Sequence, residues 1–238
     1  EMGVNKMNIK IYGDGADKDV MIAQHNRKEV DGFTTNPTLM KRSGITDYMK
    51  FAKDVLSEIK DVSISFEVFS DEVDKMYEQA LKLNSLGKNV WVKIPITNTK
   101  GVETAPLIRR LTDQGVKVNV TAIFTLEQVK TTFESINENT PAIVSVFAGR
   151  IANAGVDPEP IMKESVSICA SKKLIEVLWA SPREAFNIIQ ADRVGCHIIT
   201  VTPDLVEASK TFGKDLNAYS LETVEMFYND AKESGFKI

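Results

Sequence analysis

The sequence predicts an α/β fold, a (β/α)8 TIM barrel in a single domain, and three observations carry that prediction. Eight strand-like apolar runs alternate in strict order with stretches of helical spacing, and no long polar break interrupts them. The strand runs are rich in β-branched residues and apolar on both faces, as in a parallel sheet covered by helices. The length of 238 residues is close to the ~250 typical of eight strand-helix units. A doubly wound open sheet is the competing arrangement, yet Asp14-Gly15-Ala16-Asp17 after the first strand lacks the glycine-rich dinucleotide turn.

The elements follow in order. The first strand is expected over Asn8–Tyr12, with a helix over Lys18–Lys28; the second over Gly32–Thr35, with a helix over Thr46–Lys60. The third spans Val62–Phe69 and is followed by a helix over Asp71–Leu86; the fourth spans Asn89–Ile96, with a helix over Thr104–Asp113. Strands over Val116–Ala122 and Ala142–Ala148 pair with helices over Leu126–Ile136 and Pro158–Ser171. Leu174–Trp179, a helix over Pro182–Ala191 and His197–Val201 complete the cycle, and Gly87, Gly115 and Gly195 mark stops before strands four, five and eight. Two further helical patterns, Asp204–Thr211 and Ser220–Glu233, read as closing helices, the last as a closing helix or a tail packed on a neighbouring copy in a homo-oligomer. Glu1–Lys6 precede Met7, where the first strand pattern starts, and read as a cloning remnant or a short native extension; residues 7–238 form the barrel and its closing helices.

Composition narrows the partners. A formal net charge of -4 argues against nucleic acid or an anionic membrane as the main partner, so any phosphate must be held locally. Cys169 and Cys196 have neither the number nor the spacing of a disulfide framework or a zinc site, and read as reduced core residues. No apolar run approaches the roughly 18 residues of a membrane span, and the N-terminus has no signal-peptide core, so the expected compartment is cytoplasmic.

Within the fourth strand run, Lys93 stands in the middle of Asn89-Val90-Trp91-Val92-Lys93-Ile94-Pro95-Ile96. An ammonium there loses hydration, which favours the neutral amine, and a neutral amine attacks a carbonyl to form a Schiff base. The competing readings are a lysine that snorkels out of the strand end and one paired with a buried carboxylate.

Active sites of such barrels lie at the C-terminal ends of the strands, so the polar residues there belong together. These are Asp14 after strand one, Asn36 after strand two, Glu67 on strand three, Lys93 on strand four and Asn119 with Thr121 on strand five. Strand six supplies Ser145, Phe147 and Arg150, and strand seven leads into Ser181 and Arg183. Each alone has an ordinary explanation, Asp14 and Asn36 as turn or capping residues and the arginines as solvated charges. Glu67 is the exception, since a carboxylate amid Phe66, Val68 and Phe69 is costly without a partner. Seven successive strand ends carrying such groups exceed what packing requires. Arg150 and Arg183, on neighbouring strand ends, can meet over one phosphate, with Ser181 and free backbone N–H groups completing the site.

These residues resemble the transaldolase family, including its small bacterial branch and the related fructose-6-phosphate aldolases. The resemblance rests on Asp14-Gly15-Ala16-Asp17, Gly32-Phe33-Thr34-Thr35-Asn36-Pro37-Thr38, Val92-Lys93-Ile94-Pro95, Asn119-Val120-Thr121-Ala122, Val146-Phe147-Ala148-Gly149-Arg150-Ile151 and Ala180-Ser181-Pro182-Arg183, in this order along nearly the whole chain. It implies that Lys93 forms the Schiff base, that Asp14 takes the C4 hydroxyl proton, and that Glu67 and Thr121 hold the water that shuttles protons. It further implies that Asn36 and Asn119 hold the retained three-carbon unit, and that Ser181, Arg150 and Arg183, with Ser145 nearby, hold the phosphate of a sugar phosphate. The aldolase branch tends to carry glutamine at the position of Glu67 and tyrosine at that of Phe147, so both positions resemble transaldolase; Pro182 departs from the common pattern. The implied reaction moves a dihydroxyacetone unit from sedoheptulose 7-phosphate or fructose 6-phosphate to an aldose phosphate. It calls for no metal and no organic cofactor, because the lysine supplies the electron sink. An aldolase releasing free dihydroxyacetone and a non-catalytic sugar-phosphate binding barrel are the alternatives.

Overall fold

The structure is a computed structural model and describes residues 7–238; the reading of residues 1–6 as an extension or remnant falls outside the described residues. Eight strands, β1 (Lys10–Asp14), β2 (Gly32–Thr34), β3 (Ser63–Glu67), β4 (Val90–Pro95), β5 (Val118–Ile123), β6 (Ala142–Val146), β7 (Ile175–Trp179) and β8 (Ile198–Val201), pair in sequence order and close into a barrel. All pairs are parallel, including β1 with β8, so no sheet edge is left open.

The helices are α1 (Lys18–Asn26), α2 (Pro37–Arg42), α3 (Tyr48–Glu58), α4 (Val73–Asn84), α5 (Ala105–Asp113), α6 (Leu126–Ser135), α7 (Ala148–Asn153), α8 (Pro158–Cys169), α9 (Phe186–Arg193), α10 (Pro203–Ser209) and α11 (Leu216–Ser234). Several start on side-chain caps that satisfy otherwise unpaired first-turn N–H groups. Asp17, Asn36, Asp47, Asp157 and Asp215 each accept from the following turn, and Thr125 with Gln128 forms a capping box.

Strand alternation divides the core in two. Val92, Ile94, Val118, Val120, Val144 and Val177 point outward beneath the helices and belong to the main apolar core. Tyr12, Ile143, Leu178 and Ile198 point inward and plug the barrel. The Tyr12 ring needs a neighbour without a side chain, because a Cβ on Gly32 would lie 2.7 Å from it. The two cysteines are buried and free, and burial pushes the thiols up to about 11 for Cys169 and about 12 for Cys196. Among the described residues, no helix is long and apolar enough to cross a membrane.

Three helical features differ from the sequence expectation. Helices α2 and α7 have six residues each, too few for a periodic signal, and begin directly at strand ends where only the sequence motifs were read. Helix α9 starts at Phe186 rather than Pro182: the Asn187 side chain accepts from the N–H groups of Arg183 (2.8 Å) and Glu184 (3.0 Å), holding that stretch in a loop. Of the C-terminal helices, α10 buries Leu205, Val206 and Ser209, whereas none of the 19 residues of α11 is buried.

Candidate active site

The register of three neighbouring strands places a carboxylate, an amine and an amide in one row: Glu67 of β3 is opposite Lys93 of β4, and Lys93 is opposite Asn119 of β5. All three side chains share the inner face, because Phe66, Val92, Ile94 and Val120 between them take the outer one. At the C-terminal mouth of the barrel the residues enclose a cavity of about 450 Å³. Its wall contains Asp14, Asn36, Glu67, Lys93, Thr121, Ser145, Phe147, Arg150, Ser181 and Arg183.

Lys93 is 8% exposed, so it does not snorkel, and among the described residues it takes part in no ion pair. Its Nζ donates to the Thr35 carbonyl oxygen at 3.0 Å, while the Thr35 hydroxyl donates to the Ser65 carbonyl oxygen at 2.7 Å. The amine is thus aimed by backbone rather than neutralised by a carboxylate. Two carboxyls flank it at longer range. Burial raises Asp14 above the ordinary carboxylate range, opposed by the Lys93 charge and by hydrogen bonds from Thr34 and Asn36; Thr34 Oγ1 donates to Asp14 Oδ1 at 3.0 Å. Burial likewise raises Glu67, with Lys93 opposing it. In both the shift is upward, because desolvation penalises the carboxylate more than the neighbouring groups stabilise it.

Asn36 caps α2, its Oδ1 accepting from Leu39 N at 2.8 Å, which leaves the amide NH2 for Asp14 and the cavity. Asn119 is fully buried, donating to Ser65 Oγ at 3.1 Å and accepting from Ser145 Oγ at 2.7 Å, and so fixes Ser145. Next to Thr121 the β5–β6 register shifts and Ala122 takes a left-handed backbone, φ 61°. Phe147 stacks on Phe124 of the β5–α6 connection, with ring centroids 5.8 Å apart at 25°.

The two arginines are brought to one side by a backbone contact. Gly149 N donates to the Ala180 carbonyl oxygen at 3.2 Å, and a Cβ on Gly149 would lie 1.5 Å from the Ser181 carbonyl oxygen. Only glycine permits that approach. Ser181 itself is left-handed, φ 60°, a strained state for serine. Arg150 and Arg183 are exposed at the cavity and, among the described residues, join no ion pair. Of the backbone N–H groups expected at the start of the helix after β7, Pro182 has none, and those of Arg183 and Glu184 donate to the Asn187 side chain.

Comparison with known proteins decides the family. The family model described as Transaldolase/Fructose-6-phosphate aldolase matches residues 11–238. The chain belongs to this family. A relative described as "Probable transaldolase" from Thermoanaerobacter sp. (strain X514) is 30% identical over 232 residues, 97% of this chain and 100% of the relative. Another, from Clostridioides difficile (strain 630), is 34% identical over 171 residues, 71% of this chain and 74% of the relative. In fold the chain is similar to the crystal structure of KGPDC from Streptococcus mutans, with a TM-score of 0.57 over 86% of this chain and 95% of that one; at 11% identity the likeness is one of fold. The chain is therefore a transaldolase-family enzyme.

The sequence reading missed Thr34, Arg42 and Thr200, which also line the cavity. Thr200 was legible in principle, since it shares the inward face of β8 with Ile198. Arg42 ends α2, a helix the periodicity did not show.

The raised Glu67 carboxyl has a consequence for stability. The native chain keeps a proton there at pH values where the unfolded chain has released it, so stability falls as pH rises from the unfolded glutamate value through the raised native one. Glu67→Gln is therefore expected to melt higher than wild type at neutral pH, by about 2–4 °C per kcal/mol recovered. The gain should vanish below the ordinary glutamate range. Thermal denaturation at neutral and acid pH checks this, and a difference independent of pH would contradict it.

Proposed function

We propose that the chain is a transaldolase that transfers a dihydroxyacetone unit from a ketose phosphate, sedoheptulose 7-phosphate or fructose 6-phosphate, to an aldose phosphate through a Schiff base on Lys93. The carrying observation is a buried amine, aimed into the cavity by the Thr35 carbonyl, free of any carboxylate partner among the described residues, and flanked by two carboxyls that burial raises toward the range where a proton can be both taken and given.

The chemistry follows from those groups. Lys93 adds to the C2 carbonyl, and Glu67 with Thr121, through a water, delivers the proton that lets the carbinolamine lose hydroxide as water. The resulting iminium is an electron sink. Asp14 takes the C4 hydroxyl proton, the C3–C4 bond breaks, and its electron pair passes into the nitrogen to leave an enamine and a free aldose phosphate. The enamine then attacks the second aldehyde, Asp14 returns its proton to the new alkoxide, and hydrolysis frees Lys93. Asn36, and Ser145 oriented by Asn119, hold the three-carbon unit; Arg150, Arg183 and Ser181 hold the phosphate, worth about 1.5–3 kcal/mol per charge-assisted bond.

Transfer is favoured over release because Phe147 carries no hydroxyl to help protonate the enamine, and its stack with Phe124 makes that side of the cavity apolar. A homo-oligomer completes the reading. Leu216, Leu221, Val224, Phe227 and Tyr228 lie along one stripe of α11 and all are exposed, so a second copy of the chain is the proposed cover for that face.

Three measurements test this. Borohydride reduction with fructose 6-phosphate should add mass at Lys93, and neither Lys93→Ala nor Lys93→Arg should be labelled or turn over, since a guanidinium cannot deprotonate to attack; a label on Lys88 or Lys100, or none, overturns the mechanism and favours a mere binder. Phe147→Tyr should increase dihydroxyacetone released per transfer event at matched donor concentration, and an unchanged ratio removes Phe147 from that role. A chain ending at Lys214 should sediment with fewer copies per particle than the full chain; an unchanged number of copies would mean that α11 does not mediate assembly.

A further inference from the structure

Strand β8 contributes Thr200 to the cavity, and its hydroxyl is placed unlike those around it. Most buried threonine hydroxyls here donate to backbone carbonyls, as Thr35 does to Ser65, Thr112 to Ile108 and Thr140 to Thr112. Thr34 and Thr200, 2% and 5% exposed, instead bond side chain to side chain: Thr200 Oγ1 contacts Thr34 Oγ1, and Thr34 Oγ1 donates to Asp14 Oδ1 at 3.0 Å.

A hydroxyl has one proton to give. With the Thr34 proton committed to the Asp14 carboxylate, the contact between the two hydroxyls is a bond only if Thr200 donates to Thr34. When Asp14 holds a proton the order reverses, Asp14 donating to Thr34 and Thr34 to Thr200. In the reversed order the Thr200 proton turns away from Thr34, and no heavy atom has to move. We propose that Thr200 is a positioning residue that, through Thr34, holds the Asp14 carboxyl in its working orientation and turns its hydroxyl as Asp14 gains and loses its proton. The inference rests on the reading of Asp14 as the acid/base.

Other groups facing Asp14 are accounted for. Lys93 approaches from β4, while Thr34 of β2 and Asn36 at the start of α2 are its hydrogen-bond partners. Glu67 of β3 and Arg42, Arg150 and Arg183 line the same cavity, and Asp17 lines the adjoining pocket with Asp14. Strand β8 brings no charge. Removal of the Thr200 hydroxyl therefore acts on Asp14 only through Thr34. It costs the carboxylate state more than the protonated one, because charge-assisted bonds are the stronger.

The test is the pH profile of kcat and kcat/KM for wild type, Thr34→Val, Thr200→Val, Thr200→Ser and the double valine variant, with Thr200→Ala in place of valine should that variant fold poorly. Thr200→Val is expected to lower kcat about threefold or more by weakening a coupled chain, to leave KM little changed, and to move the Asp14 limb to higher pH. Thr200→Ser should restore both, and the double variant should be no worse than Thr34→Val alone, as groups acting in series require. Additive losses, or a Thr200→Val profile equal to wild type with an unmoved Asp14 titration, would overturn the inference. Infrared titration of isotope-labelled aspartate, assigned with Asp14→Asn, separates it from the underlying reading. If the Asp14 carboxyl titration moves in Thr200→Val while the kinetic limb stays, the positioning role stands and the acid/base role of Asp14 falls.

Discussion

The parallel register of β3, β4 and β5 is the constraint on which the site depends. It sets Glu67, Lys93 and Asn119 in one row, and closure of the barrel turns that row inward, where water is scarce. A slip of one residue would send Lys93 into the apolar shell under the helices, where an amine has no acceptor. Register is held on that outer side by Phe66, Val92, Ile94, Val118 and Val120, which must all face the core together. The packing of the shell and the chemistry of the interior are thus specified by the same alternation.

Around the amine, the chain positions polar groups mainly through backbone. The Thr35 carbonyl aims Lys93, the Ser65 carbonyl fixes Thr35, and the approach of Gly149 to the Ser181 carbonyl brings α7, with Arg150, against the loop that carries Arg183. Backbone acceptors carry no net charge, so they orient Lys93 without forming an ion pair that would occupy its nitrogen. Burial, which is costly for the ionised forms of Asp14 and Glu67, is what raises both carboxyls.

Much of this was legible before the fold was known. The eight strands were, because apolar runs of four to eight residues bounded by polar breaks have few other uses. Lys93 and Glu67 stood out because a charge inside such a run demands an explanation. The position of Asn119 on the inner face was readable, while its bonds to Ser65 and Ser145 depend on side chains of β3 and β6. The short helices α2 and α7 escaped because six residues give less than two turns of periodicity.

By itself the sequence determined the alternation of strands and helices, the parallel sense of the sheet, the residues that crowd one end of it, and the family resemblance, since each is a local pattern or an ordered set of motifs. Tertiary structure alone decided which hydroxyl serves which carboxyl, which N–H groups are already spent, and that Lys93 has no carboxylate partner among the described residues. Those are matters of distance between strands far apart in the chain, such as Thr34 and Thr200. Barrel closure brings β1 and β8 side by side, and local sequence holds no record of so long a return.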